Sequence, residues 1–173
     1  MKILLFPYLL QMLVMTIDEF YFHRKRGLPL WEAYGHPLDT LSVLLCYGFV
    51  SISSPSPLNT IIYSVLLSIS CLLITKDEWV HQKLCSGMEQ WLHSILFVLH
   101  PITLGLAGWG WVQGGIHSFY GEFTSWTPSL LNFIKFQMFM ILLFMIYQFF
   151  YWRTRCTSTS QERPKSLTRS TTN

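Results

Sequence analysis

Acidic residues precede histidines at helical spacing at four points of the chain. The pairs are Glu19 with His23, Glu32 with His36, Glu78 with His81, and Glu89 with His93. Residues three or four apart lie on the same face of an α-helix, so each pair can present one carboxylate and one imidazole to a common point. Carboxylate and imidazole ligands together suit iron, manganese or zinc. The spacing therefore indicates a metal site.

The pairs fall in two stretches that resemble each other. Thr-Ile-Asp-Glu-Phe at 16–20 is echoed by Thr-Lys-Asp-Glu-Trp at 75–79, and a histidine follows each stretch. This echo suggests two half-sites that face each other. The predicted ligands of first choice share an acid–histidine spacing, and they are Glu19, His23, Glu78, His81, Glu89 and His93. The reserve ligands lie near them in the sequence, and they are His36, Asp39 and His100. Asp18 and Asp77 would hold the ligating histidines in place from behind.

Glu78 and His81 form the Glu-x-x-His turn with which helical bundles build two-metal carboxylate sites. On this motif the chain resembles the di-iron carboxylate class. The resemblance implies a di-metal iron site and oxidoreductase chemistry, although the second strict Glu-x-x-His copy of that class is absent here. The chain as a whole also looks like small uncharacterised bacterial multi-pass proteins, a likeness that implies a bacterial inner membrane but no function.

His100 lies two turns inside an apolar segment, beside Pro101. An ionisable side chain is costly in a bilayer, so it either bonds a neighbouring carbonyl or has a functional role. Haem is disfavoured, because His93 and His100 share a helix and cannot both be axial ligands of one haem. A second axial ligand would have to come from elsewhere, for example from His36 or His23.

The composition indicates a membrane protein. Hydrophobic residues make up 51% of the 173 residues and charged residues only 12%, whereas about 25% charged residues is usual in a soluble domain. The apolar segments predict an all-α integral membrane bundle of about five transmembrane helices in one domain, residues 1–152. The predicted spans are residues 3–22, 38–52, 58–74, 88–112 and 130–152. The lipid bilayer is then the main partner, and the net charge of +3 gives no sign of nucleic-acid binding.

The basic residues predict the orientation of the bundle. They cluster in the loops after the first and third segments and in the tail, whereas the loops at 53–57 and 113–129 hold no Lys or Arg. The positive-inside rule then places the N-terminus outside and the C-terminus in the cytoplasm. The tail, residues 153–173, is rich in Ser, Thr, Lys and Arg and is predicted to be disordered.

Two classes of function fit these features. The first is a metal-dependent membrane enzyme, acting on a lipid or another apolar substrate at the cytoplasmic interface. An iron oxidoreductase is the first choice, and metal-assisted hydrolysis, for example with zinc, is the second. The alternative is a non-enzymatic scaffold or a small transporter or proton-relay subunit, in which the acid–histidine pairs are structural and His100 and Glu89 relay protons.

Overall fold

The computed structural model describes residues 2–76, 78–120 and 127–159, and all regular structure within these ranges is helical. Five helices have sixteen residues or more: α1 (Lys2–Ile17), α3 (Leu30–Ile52), α4 (Pro57–Leu73), α6 (Gly87–Tyr120) and α7 (Thr127–Thr159). Two short helices, α2 (Arg24–Arg26) and α5 (Glu78–Leu84), lie between them. A π-helical segment, Asp18–His23, joins α1 to α2. The predicted all-α class is confirmed.

Three helical stretches are long and apolar enough to cross a membrane: Ile3–Arg26, Gly87–Gly115 and Ser129–Arg155. The chain thus has the character of a membrane protein. Helix α4 is apolar but has only 17 residues. Helix α3 has 23 residues and begins at Leu30, ahead of the predicted span 38–52, and its first turns include Glu32 and His36. The predicted total of five spans requires that α3 and α4 also cross the membrane, and for these two helices the crossing stays a prediction.

Helix α7 extends beyond its predicted span and into the segment that was predicted to be disordered. It continues to Thr159. The guanidinium groups of Arg153 and Arg155 lie 5.8 and 5.2 Å from the ring centres of Phe149 and Tyr151, one turn earlier. Such cation–π contacts between residues four apart favour the additional helical turns. The rest of the predicted tail, residues 160–173, lies outside the described residues, as does Asp77.

The bundle core lies where α1, α3, α4, α6 and α7 meet. Helix α3 packs against α4 and α7, and α6 packs against α1, α4 and α7. Buried aromatic hydroxyls bind carbonyl oxygens of α6 across the core: Tyr8 donates to Thr103 at 2.9 Å and Tyr63 donates to Leu104 at 2.6 Å. These bonds satisfy polar groups that have no water to bind and fix α1 and α4 against α6.

Gly108 of α6 is expected to be intolerant of a larger side chain. A Cβ atom at Gly108 would clash with the ring of Tyr63, whereas a Cβ atom at Gly105 in the same helix would meet nothing. Gly108→Ala should lower the free energy of unfolding by about 1–3 kcal/mol, the usual cost of overpacking. Gly105→Ala should be neutral or stabilising by up to about 1 kcal/mol. Thermal unfolding in detergent measures both, and equal melting temperatures would contradict the prediction.

Candidate metal centre

The π-helical segment places three polar side chains on one face. In a π-helix the backbone bonds run from i to i+5, so residues five apart come close to alignment. Asp18 Oδ2 accordingly lies 3.2 Å from His23 Nε2, and Glu19 Oε2 lies 3.4 Å from His23 Nδ1. All three side chains are buried. A regular α-helix would turn Asp18 away from His23, so the wider turn is what brings the second carboxylate to the imidazole.

Four histidines from four elements form a closed ring. They are His23 of the π-helical segment, His36 of α3, His81 of α5 and His93 of α6. The ring centres lie 4.7 Å apart for His23 and His36, and 6.5 Å apart for His36 and His81. They lie 4.3 Å apart for His81 and His93, and 6.2 Å apart for His93 and His23. The fold therefore gathers imidazoles that are up to 70 positions apart in sequence.

Three buried carboxylates lie within 4.0 Å of histidines of this ring. Asp18 Oδ2 lies 3.1 Å from His93 Nε2. Glu32 Oε1 lies 3.9 Å from His81 Nε2, and Glu89 Oε1 lies 4.0 Å from His23 Nε2. The last two separations exceed a hydrogen bond, so these atoms face each other without being bonded.

Three sets of side chains can each offer ligand atoms within 4.8 Å of one another. The sets are Asp18, His23, Glu89 and His93; Glu32, His36 and His81; and His81, Cys85 and His93. The first two sets have no residue in common, so two ions could be held at the same time. The third set shares His93 with the first set and His81 with the second, so Cys85 lies beside both possible ion positions.

Arg26 partly neutralises the acidic charge of this cluster. Its guanidinium donates to Glu32 Oε2 at 2.7 Å and to Glu89 Oε1 at 3.1 Å. Within the described residues, four carboxylates are buried here, namely Asp18, Glu19, Glu32 and Glu89. Arg26 supplies one positive charge against them, so acidic charge is in excess among these residues. Buried charge in excess is costly without counter-cations.

Several ligand atoms of the cluster have no hydrogen-bond partner in the part of the chain that the structure describes. They are both ring nitrogens of His81, Nε2 of His36, Nδ1 of His93 and Oδ1 of Asp18. Burial lowers the pKa of His81 to about 3, with a further contribution from the neighbouring His93. His81 is therefore a neutral imidazole with a free lone pair, the form that binds metals. Unpartnered buried polar atoms are rare, and a bound ion or water is a common explanation for them.

Comparison with known proteins leaves the cluster to be interpreted from its own geometry. No family matches the chain. No curated protein and no solved structure matches it either. The resemblance to the di-iron carboxylate class therefore stays an expectation that rests on residue spacing.

Glu19 supports the site rather than facing its centre. Its Oε1 accepts a hydrogen bond of 2.6 Å from Trp152 Nε1, and its Oε2 accepts one of 3.2 Å from Gln148 Nε2. With both oxygens engaged, Glu19 belongs to none of the three ligand sets. Glu19 contacts Nδ1 of His23, and Nε2 of the same ring faces Asp18 and Glu89 of the cluster. Carboxylates behind a ligating histidine commonly fix its orientation in this way.

The structure places the other predicted ligands in different surroundings. His23, His36, His81, Glu89 and His93 are brought together, whereas Glu78 belongs to none of the three sets. The Glu-x-x-His turn therefore contributes its histidine without its acid.

The two remaining reserve ligands have partners outside the three sets. Asp39 Oδ2 accepts a hydrogen bond of 2.6 Å from Lys76 Nζ. His100 Nε2 lies 2.9 Å from Ser70 Oγ, and seven residues of helix separate it from His93, which is about 10 Å.

Three members of the ligand sets were not among the predicted ligands: Asp18, Glu32 and Cys85. Glu32 lies four residues before His36, and Cys85 lies four residues after His81. The spacing rule did find the pair of Glu32 and His36, but Glu32 was not chosen as a ligand. Cys85 would have been found if cysteines four residues after a histidine had also been considered. Asp18 was predicted to hold a ligating histidine from behind, and in a regular α-helix a residue five positions before His23 lies on a different face. The sequence carried no recognisable signal of the π-helical turn.

A cavity of about 480 Å³ borders the histidine ring and extends into the bundle. His23, His36, His81 and His93 line one end. Apolar side chains of four helices line much of the remainder, among them Met15, Val43, Leu96, Phe97 and Ile141. The volume is within the range of roughly 300–1,000 Å³ that is usual for small-molecule sites. The cluster is thus accessible to a molecule inside the bundle.

Proposed function

We propose that this protein is a membrane-embedded enzyme with a dinuclear metal site, acting on a lipid or another apolar substrate. The observation that carries the proposal is the presence of two disjoint ligand sets in one buried cluster. The unpartnered imidazole nitrogens and the excess of buried carboxylates over Arg26 support it, since two divalent cations would satisfy both. The apolar cavity beside the cluster supports the substrate class.

Iron is the first candidate because of the resemblance to the di-iron carboxylate class, and zinc and manganese are the other candidates. Imidazole and carboxylate ligands suit all three metals. Asp18, His23, Glu89 and His93 would hold one ion, and Glu32, His36 and His81 would hold the second. Two iron ions would supply oxidation chemistry, and two zinc ions would supply hydrolysis. The carboxylate behind His23 and the Arg26 bridge between Glu32 and Glu89 would keep the ligands in position.

The site would face the cytoplasm. Arg24, Lys25 and Arg26 adjoin the π-helical segment, and Arg153 and Arg155 follow Trp152, whose indole binds Glu19. The basic residues thus surround the end of the bundle that holds the cluster. The positive-inside rule would then orient the protein with its N-terminus outside, its C-terminus in the cytoplasm and the metal centre at the inner interface.

Metal content tests the proposal. Protein purified in detergent without chelators should contain about two ions of iron, zinc or manganese per chain by elemental analysis, one for each disjoint ligand set. His36→Ala should remove one ion, because His36 belongs to one set alone. The double change His36→Ala and His93→Ala, with a ligand lost from each set, should remove both.

His100→Gln is the matched control, because His100 is a buried histidine outside the three sets. It should keep the metal content of the unchanged protein. A folded protein that contains no metal would overturn the proposal. That result would favour the non-enzymatic scaffold or proton-relay reading of the acid–histidine pairs.

A further inference from the structure

Helices α1 and α7 border a lateral opening of the cavity. Helix α1 packs chiefly against α6, and α7 packs chiefly against α3, so that α1 and α7 share few contacts with each other. Aromatic rings meet at two levels: Tyr8 of α1 lies 5.5 Å from Phe133, and Phe20 of the π-helical segment that follows α1 lies 5.3 Å from Tyr147. These levels are twelve to fourteen residues apart along the chain, which corresponds to about 20 Å. Between these two levels the helices pack little against each other.

Side chains at this opening are exposed on the bundle surface and also line the cavity. Met12 of α1 is 43% exposed, and Met140 and Leu143 of α7 are 39% and 46% exposed. All three line the cavity. Both helices are long and apolar enough to cross a bilayer. In a bilayer this opening would face the hydrocarbon region, so that an apolar molecule would reach the cavity without crossing water.

Gln137 of α7 provides a polar group deep in the cavity. It is 6% exposed and lines the cavity, and its Nε2 has no hydrogen-bond partner in the described ranges. Gln148, which binds Glu19 beside the histidine ring, lies eleven residues further along α7, about 16 Å. An amide N–H that is buried without a partner is costly. A ligand oxygen that accepts a hydrogen bond would satisfy it.

We infer that the cavity binds one membrane-dissolved molecule with a hydrocarbon chain and an oxygen acceptor, which passes between α1 and α7 and bonds Gln137 Nε2. Apolar walls between Gln137 and the histidine ring hold the chain, and its far part reaches the cluster. This inference names the substrate class of the enzyme, and to that extent it rests on the proposed function. Binding itself requires only the cavity, so the two can be tested separately.

Photo-crosslinking in lipid nanodiscs tests the inference. The probes are two long-chain alkyl diazirines that differ only in one mid-chain group, a ketone in one and a methylene in the other. Mass spectrometry should locate the adducts on cavity-lining residues of α1 and α7. The ketone probe should label about five- to tenfold more efficiently, as one buried hydrogen bond implies. Gln137→Leu, which is close in size and lacks the donor, should abolish this preference.

Two tryptophan variants separate passage through the opening from general lipid contact. Met140→Trp should narrow the opening and reduce cavity labelling severalfold. Phe139→Trp is the control, because Phe139 is 56% exposed on the same helix and does not line the cavity. It should leave labelling unchanged. Thermal unfolding of each variant shows whether it is folded.

The metal content of the same samples distinguishes the two proposals. Labelling that depends on Gln137 and Met140 in a protein without metal would support the cavity inference and overturn the proposed enzyme. Labelling that is spread evenly over lipid-facing residues, or that is the same for both probes in the folded unchanged protein, would overturn the inference. Either of these two labelling results would leave the metal proposal intact, provided that the protein contains two ions per chain.

Discussion

Removal of the metal ions is expected to lower the free energy of unfolding by about 4 kcal/mol for each ion, if free metal had been a thousandfold above its Kd. The physical reason is the cluster's charge. Without cations, four buried carboxylates face the single charge of Arg26, and several imidazole nitrogens have no partner. Thermal unfolding in detergent, before and after chelation and again after metal is restored, measures the effect.

The ligand variants provide the controls for this prediction. The double change His36→Ala and His93→Ala removes a ligand from each disjoint set, so its melting temperature should not respond to the chelator. His100→Gln should respond as the unchanged protein does. Identical melting of the unchanged protein with and without chelator would contradict the prediction.

Replacement of Arg26 by Met is expected to lower the free energy of unfolding by about 3–5 kcal/mol, the usual cost of removing one partner from a buried ion pair. The Arg26 side chain is only 16% exposed, and the Glu32 and Glu89 side chains that it contacts are 0% and 3% exposed. Both carboxylates would lose their guanidinium partner. Denaturation of the purified variant measures the loss.

Lys25→Met is the matched control, because it removes one positive charge from the same helical turn. Lys25 is exposed, and its Nζ lies 5.7 Å from the ring centre of Tyr21, a contact of about 0.5–1 kcal/mol. Adding Glu32→Gln to Arg26→Met should restore part of the lost stability, since one uncompensated charge is removed. Equal effects of the Arg26 and Lys25 changes would show that the buried pairs contribute little.

Much of the fold could be predicted from hydropathy, because lipid and packed neighbours both select long apolar helices. All five apolar segments are helical within the described residues. The ends of the helices were less predictable. Helix α3 begins eight residues before the predicted span, where Glu32 is fully buried. The carboxylate of Glu32 can be buried because Arg26, which lies outside α3, binds it. The polarity of the residues around Glu32 does not reveal this partner.

The ligand types of the candidate site could be predicted from the sequence, and so could some of the ligand residues. Helical spacing selected His23, His81, Glu89 and His93 with His36 in reserve, and the structure brings all five together. The same spacing also selected Glu78, which belongs to none of the sets. A shared helix face is necessary for two ligands to meet at one point, but it does not say which residue of the pair points at the centre.

The sequence by itself determined that this chain is helical, that it has long apolar segments, and that carboxylate and imidazole groups are spaced to meet. Those properties follow from side-chain hydrophobicity and from the α-helical repeat, which act locally. Only the tertiary structure decided which groups meet. The π-helical turn brings Asp18 to His23, Arg26 bridges Glu32 and Glu89, and Trp152 holds Glu19 from 133 positions away. These contacts depend on the packing of separate helices, which no local period encodes.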